Sequence, residues 1–259
     1  MRTTVAVLLL WTLWGPQVAF AADDAHPDQL AGWLRVYKPN YFIFIDDLKS
    51  DKWEVKFQFS TKVKFFDLNS NTSHGIYFGY TQKSFWDIFE TSSPFRSNDY
   101  NPEMFYVYPF NLSVLESVQV GLEHESNGLD GLESRAWNKP YLEFNLQKEF
   151  QFPRWNRRHQ ISFSPKAWGL VFGKGENNPD IEDFLSYWRV NMALEDHDKM
   201  YRLGAEVREK SVQVDLSGRF LARQGFYVYL HYWNGYGERL ISYNHSTHRI
   251  GIGVSLIKW

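Results

Sequence analysis

Residues 117–138, Ser-Val-Gln-Val-Gly-Leu-Glu-His-Glu-Ser-Asn-Gly-Leu-Asp-Gly-Leu-Glu-Ser-Arg-Ala-Trp-Asn, decide how the rest of the chain is read. They form two extended segments around a polar loop. Successive side chains of a strand point to opposite faces, so Val118, Val120, Leu122, His124 and Ser126 share one face and Gln119, Glu123 and Glu125 the other. The next segment repeats the alternation, with Asn138, Pro140, Leu142, Phe144 and Leu146 opposed to Lys139, Glu143, Asn145 and Gln147. Paired as an antiparallel hairpin, the two segments bring His124, Ser126 and Asn138 to the same end of one apolar face.

Imidazole, hydroxyl and amide groups in an apolar setting cost free energy unless they bond to one another. Mutual bonding is also what a hydrolase needs. Ser126 is the candidate nucleophile, His124 the base that takes its proton, and Asn138 the acceptor that fixes the imidazole tautomer. The bland alternative is a polar rim where a strand meets lipid headgroups. Glu123 and Glu125 fall on the opposite face, where salt-bridged structural roles are expected rather than acid–base work.

The chain has 259 residues, and its first part has the layout of a secretory signal peptide. Arg2 precedes an apolar run from Val5 to Trp14 and an Ala19-Phe20-Ala21 cleavage pattern, so residues 1–21 are expected to be removed. The run is short of the roughly 20 residues that a membrane helix requires. Cysteine is absent, which excludes disulfides and zinc–thiolate sites. A net charge of −2 leaves no electrostatic footprint for nucleic acid. Aromatic residues reach 18%, yet no later run could cross a bilayer as a helix. A transmembrane barrel remains compatible, because its strands alternate apolar-out and polar-in and look mild on any sliding average.

Residues 22–52 are irregular and are expected to be a periplasmic or plug-like segment, with Tyr41-Phe42-Ile43-Phe44-Ile45 either a short strand or part of a plug. From residue 53 the barrel domain is expected. Trp53, Val55, Phe57 and Phe59 alternate with Glu54, Lys56, Gln58 and Ser60, a two-faced strand. A turn at Asn69-Ser70-Asn71 leads to a second strand over residues 74–88, then a polar loop over 91–102 and a strand over 103–112. The alternation recurs at Val212, Val214 and Leu216, and at Ile250, Ile252, Val254 and Leu256. About twelve such segments, with short turns at one end and long loops at the other, predict an all-β, twelve-stranded antiparallel transmembrane barrel of the outer-membrane type. The terminal Trp259 is an aromatic of the kind such barrels end in. The strand faces rich in Glu, Lys, Arg and Gln fit a barrel lumen better than a sandwich core.

Gly121-Leu-Glu-His124-Glu-Ser126-Asn127-Gly128, followed by Ser134-Arg135-Ala-Trp137-Asn138, resembles the signature of the bacterial outer membrane phospholipase A family. Supporting matches are Gly79-Tyr80-Thr81-Gln82, Ser92-Ser93-Pro94-Phe95-Arg96, Asn178-Pro179-Asp180-Ile181, Gly235-Tyr236-Gly237-Glu238 and Tyr243-Asn244. The resemblance implies phospholipase A1, A2 and lysophospholipase activity on outer-membrane lipid, from a site on the lipid-facing wall of a Gram-negative barrel. It carries the triad onto Ser126, His124 and Asn138 and an oxyanion-hole N–H onto Gly128. It further implies Ca2+ held by Ser134, the Leu129 carbonyl and Ser92 of the partner subunit in an active homodimer, with Gln82 bonding across the interface. Gly131 and Asn177 stand where better-known members have acidic residues, a departure from the pattern of a second calcium site.

Two rivals come from other classes. A non-catalytic pore would conduct ions and leave lipid intact, whereas a periplasmic β-sandwich binding sugars or peptides would need no detergent. Asp180 is expected to stabilise a turn. The remaining histidines lack the spacing of a transition-metal site.

Overall fold

A computed structural model describes residues 29–31, 34–48, 52–110, 112–152, 157–169, 171–174, 176–219 and 226–256. The expected signal peptide and Trp259 lie outside the described residues. The strands are β1 (Gln29–Ala31), β2 (Leu34–Val36), β3 (Asn40–Asp47), β4 (Lys52–Asp67), β5 (Gly75–Trp86), β6 (Phe95–Pro109) and β7 (Leu115–Ser126). They continue with β8 (Ala136–Phe152), β9 (Arg157–Ala167), β10 (Trp188–Asp196), β11 (Tyr201–Arg208), β12 (Ser211–Arg219), β13 (Tyr227–Gly235) and β14 (Thr247–Leu256), with one short helix, α1 (Ile181–Leu185). From β3 onward each strand pairs antiparallel with its successor, and β14 returns to pair with β3, so twelve strands close a barrel. Closure removes the free edges that an open sheet would expose.

The barrel does not begin at residue 53. β3 lies between β14 and β4, with Ile252 opposite Phe44 and Phe44 opposite Val55. Residues 40–48 therefore belong to the barrel, and the expected boundary moves toward the amino terminus. Ile43 and Ile45 point inward and pack with Phe85 and Tyr229, while Phe42 and Phe44 point outward. Apolar residues on both faces erase the period-two signal that marks the other strands. Just before β3, two side chains reach lumen residues. Tyr37 stacks on Phe105, and Lys38 Nζ sits 3.0 Å from Glu103 and donates to Asn101 at 3.1 Å.

The expected polar loop over 91–102 also gives way. Strand β6 starts at Phe95, and its polar residues are engaged in the lumen. Ser97 donates to Asp99 at 2.8 Å, Asp99 accepts the Leu240 N–H at 3.0 Å, and Asn101 donates to Glu123 at 3.1 Å.

Polarity is inverted relative to a water-soluble domain. Phe78, Met104, Leu122, Phe144, Ile161 and Ile252 are exposed on the outer wall. Inside, Glu103, Glu123, Lys139 and Lys166 are buried and joined in one network. This is the transmembrane arrangement, in which lipid solvates the wall and strand amides pair between neighbours. No helix of the described residues is long and apolar enough to cross a membrane. A polar cavity of about 350 Å³ remains in the lumen, lined by Lys83, Glu143, Arg189 and Arg208 among others.

Candidate active site

The β7–β8 hairpin places three of the predicted side chains. In its register His124 lies opposite Asn138 and Ser126 opposite Ala136. His124 Nδ1 is 2.9 Å from Asn138 Oδ1. Among the described residues Ser126 makes no hydrogen bond to His124; it ends the same strand two residues on, on the same face. The structure thus joins the expected base to its orienting partner and leaves the hydroxyl beside them.

The orientation of the Asn138 amide is set from the far side. Phe172 O accepts the Asn138 backbone N–H at 2.9 Å and Asn138 Nδ2 at 3.1 Å, and Phe172 N donates back to Asn138 O at 3.2 Å. With the NH2 end committed to a carbonyl, the oxygen end must face His124. Nδ1 then carries the imidazole proton and Nε2 is left as an acceptor. Gly173 makes this approach possible. Its φ is +62°, and a Cβ there would lie 2.4 Å from Asn138 Nδ2.

Beyond Ser126 the chain turns through a loop built on Asn127, which is buried. Its Oδ1 accepts the Arg135 N–H at 2.9 Å and the Leu129 N–H at 3.3 Å, while Nδ2 donates to Glu133 O at 2.7 Å. Gly128 takes φ +68°, and a Cβ on it would sit 2.7 Å from the Tyr100 ring. Only glycine meets both demands, so its N–H is held beside Ser126 by a turn no other residue can make cheaply.

Loop contacts brace the site from the same end. Asn177 Nδ2 donates to Gly131 O at 2.7 Å. Tyr243 donates to Asp180 Oδ1, so Asp180 ties two loops together as well as closing its own turn. Burial first, then that hydrogen bond, pushes the Tyr243 hydroxyl up to about 12, keeping it a donor near neutral pH.

The carboxylates that flank the histidine turn away. Glu125 accepts Trp137 Nε1 at 2.7 Å and Lys139 Nζ at 2.8 Å, and Glu123 binds Lys139 and Lys166. Both belong to the lumen, as the alternation requires.

The candidate calcium ligands are dispersed. Ser134 follows a 3-10 turn over Gly131–Glu133, Leu129 precedes it in the same loop, and Ser92 sits exposed in the β5–β6 loop with φ +67°. Among the described residues no group of three or more His, Asp or Glu could hold a metal. Gln82 lies on the outer wall within a polar ladder. Tyr80 donates to Gln82 Oε1 at 3.0 Å, Gln82 Nε2 to Ser84 at 3.1 Å, and Ser84 to Asn98 at 2.7 Å. Sequence pattern alone misses Asn127, Phe172 and Gly173. The first is visible only as a neighbour of Ser126, and the other two act through backbone.

Comparison with known proteins points one way. A profile described as phospholipase A1 matches residues 31–256. Phospholipase A1 of Escherichia coli K12 is 31% identical, with 86% of this chain and 81% of that protein covered. A longer relative from Neisseria meningitidis serogroup B is 32% identical over 78% of this chain, which spans 54% of its length. The crystal structure of the Salmonella typhi outer membrane phospholipase dimer with bound calcium has a TM-score of 0.73 at 26% identity, covering 90% of this chain and 96% of that one. Outer membrane phospholipase A from Escherichia coli also gives 0.73, at 26% identity and with 89% and 94% covered. Sequence, barrel architecture and the hairpin geometry agree that the chain belongs to the phospholipase A1 family.

Proposed function

We propose that this protein is a calcium-dependent outer-membrane phospholipase that cleaves acyl esters of phospholipids and lysophospholipids at sn-1 and sn-2 through Ser126, His124 and Asn138, and that it acts as a dimer. The 2.9 Å contact between His124 Nδ1 and Asn138 Oδ1 carries the proposal, because it leaves Nε2 available on the lipid-facing wall. His124 Nε2 removes the Ser126 proton as Oγ attacks the ester carbonyl, and the tetrahedral oxyanion forms beside the Gly128 N–H. His124 then returns the proton to the leaving alcohol oxygen. Water, deprotonated by the same imidazole, releases the acyl group as fatty acid and restores Ser126.

The donor set suits calcium. Hydroxyl and carbonyl oxygens are the ligands of a hard cation, and among the described residues neither the Leu129 carbonyl nor the Ser134 hydroxyl is engaged in a hydrogen bond. Leu129 and Ser134 would hold the ion with Ser92 of the partner subunit, an incomplete set in one chain that matches activation by dimerisation. Calcium, when bound, supplies positive charge near the developing oxyanion. The Salmonella relative is a dimer with bound calcium, which supports the same assignment here. The Gln82 ladder provides polar groups on the outer wall for a second copy to meet.

Fatty-acid release from phospholipid mixed micelles by refolded mature protein tests this reading. Release is expected with calcium, not with chelator, and not from Ser126→Ala. Chelator-resistant release would remove the metal from the scheme, and an active Ser126→Ala would remove the nucleophile. Gly128→Ala is expected to lower kcat by about 10²- to 10³-fold, the range for a displaced oxyanion donor, with the barrel still folded. A wild-type kcat would place the oxyanion elsewhere.

A further inference from the structure

Strand β8 has an unusual edge where it carries Asn138. Its pairing with β9 starts only at Leu142 opposite Ala167, so Ala136, Asn138 and Pro140 have no strand beside them on that side. Buried backbone groups need partners, and each of the three positions meets the need differently. Pro140 has no N–H to satisfy. Asn138 is bridged by the Phe172 backbone. Ala136 is met by a side chain: its N–H donates to Asn178 Oδ1 at 3.2 Å, and Asn178 Nδ2 donates to its carbonyl at 3.0 Å.

We infer that Asn178 is a positioning residue for the esterase site, its amide standing in for the missing strand residue so that the β9–β10 loop is docked in register and the Phe172 carbonyl fixes the Asn138 amide. A primary amide offers one donor and one acceptor from a single carbon, the same pair that a strand residue presents across a ladder. Asn178 is fully buried, so its bonds are made where water cannot replace them. A single residue, Trp137, separates its anchor point, Ala136, from Asn138. A loop released at Ala136 is free to shift at Phe172, and the carboxamide of Asn138 can then rotate away from Nδ1 of His124. The inference rests on the reading of Asn138 as the orienting member of the triad.

Two variants test it. Asn178→Asp keeps the acceptor for the Ala136 N–H but turns a second acceptor toward the Ala136 carbonyl. Gly173→Ala leaves Asn178 intact and drives a methyl group into the Asn138 amide from the other side. Each is refolded in detergent, checked for the compact, heat-modifiable barrel on a gel, and assayed on mixed micelles with calcium. Both are expected to lose kcat by about tenfold with KM within twofold, as a displaced catalytic group does. Both are expected to cause no further loss on top of Asn138→Ala, because the residue they position is already gone.

A folded Asn178→Asp with wild-type kcat overturns the inference, as does a tenfold loss repeated in full on Asn138→Ala, which would mark a general structural role. If Asn178→Asp fails to fold, Gly173→Ala carries the same two outcomes for the clamp. Ser126→Ala run in parallel separates this question from the triad: activity in Ser126→Ala overturns the triad itself, whereas an inactive Ser126→Ala beside a fully active Asn178→Asp overturns only the positioning role.

Discussion

His124→Ala is expected to lower kcat for phospholipid hydrolysis by about 10⁴-fold or more while the barrel folds normally. The imidazole sits on the lipid-facing wall, and among the described residues its only hydrogen bond is the 2.9 Å contact with Asn138, so its removal leaves no core cavity. In the proposed mechanism, Ser126 without a base keeps its proton, and the acyl enzyme cannot form at a useful rate. Asn138→Ala should cost less, on the order of 10²-fold, because an orienting residue selects the tautomer without transferring the proton itself. The double variant should be no worse than His124→Ala alone, since groups that act as a unit are not additive. Steady-state kinetics on micelles with calcium decide the point. Activity of His124→Ala within tenfold of wild type would mean that another group accepts the Ser126 proton.

Glu123→Ala is expected to destabilise the barrel by about 3–5 kcal/mol, the cost of stranding buried charge. Glu123 is fully buried and contacts Lys139 at 3.3 Å, Lys166 at closer range and the Asn101 amide at 3.1 Å. Its removal leaves Lys166 with Glu103, 3.7 Å away, as its only ion-pair partner among the described residues. The expected signature is a large drop in the denaturant midpoint for unfolding from lipid vesicles, with phospholipase activity retained in the fraction that folds. Replacing Glu123 and Lys166 together by methionine should recover much of the loss, because a well-packed apolar pair needs no counter-charge. A Glu123→Ala midpoint equal to wild type would show that water in the lumen already screens these ions.

Alternation was enough to place His124, Ser126 and Asn138 on one face and Glu123 and Glu125 on the other, because one side of each strand meets lipid and the other a charged lumen. It failed where that contrast is absent. In β3 both faces are apolar, so Tyr41–Ile45 does not announce itself as the strand that closes the barrel. In the first half of β6 both faces are polar, so Ser97, Asp99 and Asn101 look like a loop. The supports of the site are harder still to foresee. Phe172 acts through its carbonyl, Gly173 through an absent methyl, and Asn178 across 42 residues of chain from Ala136. Local periodicity contains none of these relations.

If hydrolysis takes place at the proposed triad, the position of His124 and Ser126 on the outer wall also fixes the dimensionality of the encounter. A substrate that arrives there comes by lateral diffusion within a leaflet, so the governing concentration is a mole fraction of lipid in a surface, independent of the bulk volume. Products leave by the same plane, and lysolipid released beside the barrel is at once a neighbour of the next site.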